Sequence, residues 1–272
     1  MALALDDDHV YWTQMNALKS VPKRGGTQTL LASPTLSAGV AVDAEAIYWT
    51  ERDEGLVRKM LKSDHVPVTL WTADPNDWTA SWPAGIAVDQ THVYWYTRRV
   101  VWKLAKSGGN ATAVFSSGTG SPIQMQAVAV DSTHLWWIGW ALFQSPAGRL
   151  MRAAKVGGAV ESIDISDNGP EALTLDDDFA YFPSGQVPGS IRRIAKSGGA
   201  AATLVKGQDY SFSIALDADH VYWSSGEFIR KAKKDGADVV ELASGQQNAG
   251  TVAVDSSCVY WSAASGVMRV AK

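Results

Sequence analysis

One unit recurs seven times along the chain: a short apolar strand that ends in Asp, then a second strand that carries an aromatic pair. The second aromatic residue always follows the Asp at an offset of six, and successive Asp residues lie 37, 46, 42, 45, 41 and 38 positions apart. A period near 40 residues built from short strands is typical of a β-propeller with one four-stranded blade per repeat. The seven pairs are Asp6 and Trp12, Asp43 and Trp49, Asp89 and Trp95, Asp131 and Trp137, Asp176 and Phe182, Asp217 and Trp223, and Asp255 and Trp261.

Each unit reads as four strands without helical periodicity, so we predict an all-β, seven-bladed β-propeller that occupies residues 1–272 as a single domain. Gly pairs such as Gly198-Gly199 supply the positive φ angles of the turn between strands three and four. The seventh unit stops at Lys272, which aligns with Lys196 and Lys233, so we expect a three-stranded last blade and self-association through its open edge. The expected blades cover residues 2–37, 38–83, 84–125, 126–169, 170–211, 212–249 and 250–272.

Composition excludes several classes of function. The net charge of −4 and the absence of a basic block argue against a nucleic-acid partner, which needs a concentrated Lys/Arg surface. Cys258 is the only cysteine, so an intrachain disulfide and a thiolate metal cluster are both excluded. We expect no membrane span, because no apolar run approaches the roughly 20 residues that one requires. The chain also carries no recognisable signal peptide, cofactor motif or metal motif.

The aromatic strands resemble the YWTD repeats of low-density-lipoprotein-receptor-type propellers, and also the repeats of many uncharacterised bacterial secreted propellers. The resemblance covers essentially the whole chain and implies a propeller that binds a ligand in a secreted or cell-envelope location. Two departures separate the chain from the receptor domains: the final Asp of the motif is absent, and those domains have six blades. The segments that carry the resemblance are Tyr11-Trp12-Thr13, Tyr48-Trp49-Thr50, Tyr222-Trp223-Ser224 and Tyr260-Trp261-Ser262.

Most histidines and basic residues occupy repeat-equivalent positions, which indicates a structural role. His9, His92, His134 and His220 all lie three residues after a repeat Asp, and the Asp is expected to accept backbone N–H bonds across the turn. His65 falls where other units have their glycine turn, so we interpret it as a solvated loop residue. The Lys and Arg residues of the third strands are expected to form a solvated rim.

Loop lengths distinguish the two faces of a propeller with this repeat. The first-to-second and third-to-fourth connections are short and nearly constant, and both lie on one face. The other face carries the variable connections: the counts from Asp to the third-strand Lys are 17, 19, 17, 24, 20, 16 and 17 residues. The largest insertions are residues 73–83, between blades two and three, and residues 138–147, within blade four. A scaffold usually carries its function on its variable loops.

Three tryptophans outside the repeat motif, Trp78, Trp82 and Trp140, fall in these two insertions, whereas Trp71 and Trp102 fall on strands and are expected to pack within blades. Loop tryptophans beside polar residues suit stacking on a sugar or anchoring a protein. The alternative is that they fold over the central channel and plug it. The predicted ligand-binding residues are Asp74, Asn76, Asp77, Trp78, Trp82, Trp140, Phe143 and Gln144.

The favoured function is non-enzymatic recognition of a glycan, peptide or protein through the variable face, without a cofactor, a metal or catalytic residues. The alternative is an enzyme of the gluconolactonase or lyase kind, in which residues from several blades surround a metal or acidic site at the channel mouth. Its candidate residues are Asp74, Asp77, Asn168, Glu171, Asp209 and Asn248. A purely structural repeat domain is the third hypothesis.

Overall fold

The computed structural model describes residues 1–118, 123–141, 148–167, 169–185, 187–211, 213–264 and 266–272. Within these residues the chain forms strands that assemble into six four-stranded antiparallel sheets and a last sheet of three strands. The strands of each sheet are neighbours in chain order. The predicted all-β, seven-bladed propeller and its three-stranded last blade are both confirmed.

The described chain divides into two compact units, Met1–Val130 and Asp131–Lys272. The first unit contains β1 (Leu3–Leu5), β2 (His9–Gln14), β3 (Ala17–Pro22), β4 (Thr29–Ala32), β5 (Ser37–Val42), β6 (Ala46–Glu51), β7 (Leu56–Leu61), β8 (Pro67–Thr72), β9 (Ile86–Val88), β10 (His92–Tyr96), β11 (Val100–Ala105), β12 (Thr112–Ser116) and β13 (Ile123–Val130). The innermost strands of this unit, β1, β5, β9 and β13, contact one another in turn.

The second unit contains β14 (His134–Ala141), β15 (Gly148–Ala154), β16 (Glu161–Asp164), β17 (Thr174–Leu175), β18 (Phe179–Pro183), β19 (Gly189–Ala195), β20 (Ala202–Gln208), β21 (Ser213–Leu216), β22 (His220–Ser225), β23 (Phe228–Lys233), β24 (Val240–Ala243), β25 (Val252–Val254), β26 (Cys258–Ala263) and β27 (Gly266–Ala271). Its innermost strands β17, β21 and β25 likewise contact one another in turn.

The aromatic residue six positions after each Asp forms the core. All seven of these side chains are at most 2% exposed, as the constant offset predicts. Trp49, for example, packs with Tyr11 and Leu18 of the preceding sheet. Trp71 and Trp102 stack around Trp95 at centroid distances of 5.2 and 6.3 Å, which confirms their packing role.

Each repeat Asp organises the turn that follows it. In the first blade, Oδ1 of Asp6 accepts the backbone N–H groups of Asp8 and His9, and Oδ2 accepts the hydroxyl of Tyr11 at 2.8 Å. The same bonds recur in the later blades, with the indole N–H of Trp136 replacing the tyrosine hydroxyl on Asp131. The first aromatic residue of the pair is therefore a hydrogen-bond donor, while the second fills the core.

At five sheet junctions within the described residues, the lysine that follows strand three ties a sheet to the one before it. Its Nζ reaches Oδ2 of the preceding blade's Asp in five pairs: Lys62 to Asp6, Lys106 to Asp43, Lys196 to Asp131, Lys234 to Asp176 and Lys272 to Asp217. We call these pairs the interblade ion pairs. Burial alone would raise the pKa of Asp6, but the hydrogen bonds from Lys62, from Tyr11 and from the backbone N–H groups of His9 and Asp8 together outweigh it and lower the pKa to about 2.

The expectation that the third-strand cations form a solvated rim is therefore wrong. The interblade lysines are mostly buried, and other third-strand cations bond to backbone of the next blade, as Arg193 Nη1 does to Lys234 O at 2.7 Å. The alignment of Lys272 with Lys233 is also off by one residue. Lys234 holds the interblade position, whereas Lys233 is exposed and pairs with Asp238.

The other turn expectations hold. Gly198 and Gly199 adopt φ values of 99° and 108°, and the exposed His65 takes a positive φ of 57° in place of a glycine. The four repeat histidines donate their backbone N–H to the Asp, and their rings lie beside the following aromatic, as in the 6.0 Å centroid distance between His9 and Tyr11. No helix within the described ranges is long and apolar enough to cross a membrane.

Candidate functional site

Antiparallel order places alternate connections at opposite ends of each sheet. We call the end that carries the repeat Asp and the Gly-Gly turns the Asp-turn end. We call the other, which carries the second-to-third hairpins and the links between sheets, the loop end. Residues 73–83 link β8 to β9 and so lie at the loop end of the second and third sheets, as predicted.

The segment 73–83 is pinned by hydrogen bonds to the hairpins on either side. Ala73 N donates to Gly55 O in the β6–β7 hairpin, and Arg98 N in the β10–β11 hairpin donates to Ser81 O. Thr97 Oγ1 donates to Thr79 O at 2.9 Å, and Ala80 is 3% exposed. The backbone of this loop is therefore held by hydrogen bonds to both neighbouring hairpins.

The acidic residues of the loop hold its own turns. Oδ1 of Asp74 accepts the backbone N–H and side-chain amide of Asn76, and Oδ1 of Asp77 accepts the N–H and hydroxyl of Thr79. The hydrogen bonds from Thr79 keep the pKa of Asp77 below its ordinary value. Both carboxylates therefore cap turns within the loop.

The two tryptophans of the loop are exposed and meet arginines that come from the flanking hairpins. Trp78 is 51% exposed and Trp82 is 41% exposed. The Cζ atoms of Arg98 and Arg52 lie 3.6 and 5.2 Å from the ring centre of Trp82, and Cζ of Arg99 lies 4.5 Å from that of Trp78. We call these five residues the Trp–Arg cluster.

The backbone of Trp82 adopts a conformation that its residue type and its neighbour Pro83 both disfavour. Its φ of 63° lies in the left-handed region, although it is bulky and precedes Pro83, a residue that favours extended backbone before it. Such a conformation costs about 1–3 kcal/mol and persists only where the surroundings enforce it. The bonds at Ser81 and the burial of Pro83 supply that enforcement.

Arginines of the cluster were not among the residues predicted for the site. Arg52 follows β6, while Arg98 and Arg99 form the tip of the β10–β11 hairpin. Arg52 belongs to the second blade and Arg98 and Arg99 to the third, and all three lie outside the insertion, so loop length does not reveal them. The sequence signal that could have revealed them is the pair of consecutive arginines, Arg98 and Arg99, at the tip of the β10–β11 hairpin.

The second predicted insertion, residues 138–147, begins as a strand and not as a loop. Residues 138–141 continue strand β14, and Trp140 pairs with Gly148 on β15, so Trp140 is a strand residue rather than a loop residue. Its side chain is half-buried, and its indole Nε1 is buried without a hydrogen-bond partner among the described residues. Phe143 and Gln144 lie outside the described residues.

Three of the residues proposed for the enzyme alternative accept hydrogen bonds within their own unit. Asp74 and Asp77 cap turns in the first unit, and Oε1 of Glu171 in the second unit accepts the hydroxyl of Tyr210 at 2.6 Å. Burial and this carboxylate raise the pKa of Tyr210 to about 12. Asp209 and Asn248 lie in other loops of the second unit, and Asn168 is outside the described residues. In the described part of the chain, no group of three His, Cys, Asp or Glu residues is placed to hold a metal.

A cleft of about 560 Å³ opens at the Asp-turn end between the second and third sheets. Its polar lining includes Asp43, Tyr48, Lys59 and Lys106, which already bond within the fold. Because the same pairs recur at other blade junctions, we interpret this cleft as part of the interblade packing.

Comparison with solved structures supports the fold. A chain in the crystal structure of the nidogen/laminin complex matches with a TM-score of 0.66 and 15% identity, over 85% of this chain and 91% of that one. Streptogramin B lyase matches with a TM-score of 0.79 and 15% identity, over 98% and 91%. U3-55K matches with a TM-score of 0.77 and 10% identity, over 96% and 87%.

At these identities the likeness concerns the propeller fold. The similar structures include a propeller from a protein complex and a lyase, so both binding and enzymatic proteins share the architecture. No family model matches the chain. No curated protein sequence matches it.

Proposed function

We propose that the protein is a non-enzymatic recognition module that binds its ligand at the loop end of the second and third blades. The observation that carries this proposal is the Trp–Arg cluster, in which two exposed tryptophans and three arginines converge from three connections on a pinned loop. Trp and Arg are the residues most enriched at binding hot spots.

Two further observations favour binding over the enzyme alternative. Oδ1 of Asp74 and of Asp77 is engaged in capping turns, and the two indole rings are the large exposed side chains of the loop. The similar chain in the nidogen/laminin complex comes from a protein–protein assembly, which is consistent with recognition on this fold. A fixed loop also limits the entropy lost on binding.

A screen on glycan and peptide arrays tests the proposal. The parent protein, a Trp78→Ala/Trp82→Ala variant and a Trp71→Phe control are labelled and applied to the same arrays, with metal content measured on each preparation. We expect hits with the parent and the control that disappear with the double variant, while the melting temperature stays nearly unchanged. Hits that survive in the double variant, or turnover that depends on a bound metal, would contradict the proposal.

A further inference from the structure

We propose that the Trp–Arg cluster receives an acidic peptide segment of a partner protein, with Arg52 and Arg98 binding its carboxylates. This inference rests on the proposed function and narrows it to one class of ligand.

The arginines within the sheets already have anionic or polar partners. Arg58 pairs with Glu51 at 2.9 Å, Arg192 with Asp167 at 2.8 Å, and Arg152 with Glu161 at 2.6 Å. Arg52 and Arg98 form no ion pair within the described residues, and both instead lie over Trp82. Their guanidinium groups therefore have no carboxylate partner among the described residues.

Stacking also sets the direction in which these groups can bind. A guanidinium that lies over a ring face keeps its N–H groups in the guanidinium plane, where they can bond a carboxylate through two parallel hydrogen bonds. Arg99 differs, because its Nη1 donates to Gly118 O at 2.8 Å while it covers Trp78. We therefore assign ligand contact to Arg52 and Arg98, and loop support to Arg99.

Asp53 and Glu54 follow Arg52 in its hairpin, but no carboxylate of the described residues forms an ion pair with Arg52 or Arg98. Asp74 and Asp77 direct Oδ1 into the N–H groups of the loop, as described above. The chain carries a net charge of −4, so long-range attraction does not select an acidic ligand. Selection instead comes from short-range bidentate bonds to two fixed guanidinium groups.

The exposed indole surface favours a peptide over an anionic glycan. Sugar stacking needs an open ring face, and Arg98, 3.6 Å from the centre of Trp82, and Arg99, 4.5 Å from that of Trp78, each occupy one face of these rings. About half of each indole is nevertheless exposed beside the cations. An acidic peptide supplies both carboxylates and apolar side chains to cover that surface, whereas a sulfated glycan supplies mainly charge.

The test uses fluorescence anisotropy with three fluorescein-labelled probes. They are a decapeptide of alternating Glu and Leu, the same peptide with Gln in place of Glu, and a heparin-derived decasaccharide. The proteins are the parent, Arg52→Gln, Arg98→Gln and Arg98→Lys. The control is Arg24→Gln, which removes an exposed arginine from the β3–β4 turn at the Asp-turn end.

We expect the parent to bind the Glu peptide at least tenfold more tightly than the Gln peptide or the decasaccharide. Removing a charge-assisted bidentate contact should weaken binding by about tenfold to a hundredfold in Arg98→Gln and in Arg52→Gln. Arg98→Lys should fall between Arg98→Gln and the parent, because lysine keeps the charge but lacks the planar fork. Arg24→Gln should remain within about twofold of the parent.

Four results would overturn the inference: no binding of the Glu peptide, equal binding of the Gln peptide, tighter binding of the decasaccharide, or equal losses in Arg24→Gln and Arg98→Gln. Melting curves of all variants check that the losses do not reflect unfolding. If the Glu peptide does not bind while the array hits still require Trp78 and Trp82, the proposed ligand class is wrong and the proposed binding surface is retained. If the array hits ignore both tryptophans, the proposed function itself fails.

Discussion

The Asp-turn end and the loop end of the blades use the same kinds of side chain for opposite purposes. At the Asp-turn end, aromatic, acidic and basic groups satisfy one another within the fold, as in Tyr11, Asp6 and Lys62. At the loop end of the second and third blades, Trp82 and Arg98 also contact each other, but both remain exposed. Residues of the first kind hold blades together, whereas the exposed residues at the loop end are the ones that we propose bind a partner.

The largest expected effect concerns the core aromatics that anchor the repeat. Trp223→Ala should lower the free energy of unfolding by about 3–5 kcal/mol, because a fully buried indole is removed and leaves a cavity. Urea denaturation measures this loss, and Trp82→Ala is the comparison because its side chain is exposed. Similar losses in both variants would erase the distinction between the two ends.

The interblade ion pairs should give the next largest effect. Lys234→Met breaks a half-buried pair with Asp176 and should cost about 1–2 kcal/mol at pH 7, between the values for exposed and buried pairs. Lys233→Met is the matched control one residue away, on an exposed side chain, and should leave the melting temperature unchanged. If Lys233→Met is the more damaging variant, the assignment of the interblade position is wrong.

The same pair predicts a pH dependence. Burial raises the pKa of Asp176, but the hydrogen bonds from Lys234, from the Tyr181 hydroxyl and from the backbone N–H groups of Phe179 and Asp178 together outweigh it and lower the pKa below the ordinary 3.8. A lowered folded-state pKa contributes stability that is present above about pH 4 and lost as the pH falls through the folded value. The difference in unfolding free energy between parent and Lys234→Met should therefore shrink below pH 4, as followed by urea denaturation across pH 2–7. A difference that is constant over this range would contradict the ion-pair assignment.

The smallest expected effect is a gain at an exposed turn. His65 has a φ of 57° where other blades use glycine, so His65→Gly should remove left-handed strain. Because glycine also costs conformational entropy, the net gain in the free energy of unfolding should be about 0.5–1 kcal/mol, as measured by urea denaturation. His65→Ala keeps the Cβ and should give no gain; a gain of equal size there would show that strain is not the cause.

The sequence predicts the propeller well because its signal is repeated. The offset between Asp and the core aromatic is constant, so seven copies support one interpretation even where Phe182 replaces Trp. The interblade ion pairs were missed because each joins residues about 55–65 positions apart, and counting alone cannot distinguish Lys233 from Lys234.

The candidate site is only partly visible in the sequence. Length and composition identify the loop that carries Trp78 and Trp82, and both are exposed at the expected end of their sheets. Arg52 and Arg98 reach Trp82 from hairpins of two blades, which only the packing of those blades brings together. The length count predicts a loop at Trp140 because it cannot distinguish a longer loop from a longer strand, and residues 138–141 extend strand β14.

The central claim is that ligand binds at the loop end around residues 73–83 and not at the Asp-turn end. Hydrogen exchange of the protein, with and without the tightest ligand from the arrays, tests this for any class of ligand. We expect slowed exchange in peptides that cover residues 73–83 and 97–99, with no change around the turns at 43–46 and 106–109. Protection confined to those turns, with 73–83 unaffected, would contradict the account.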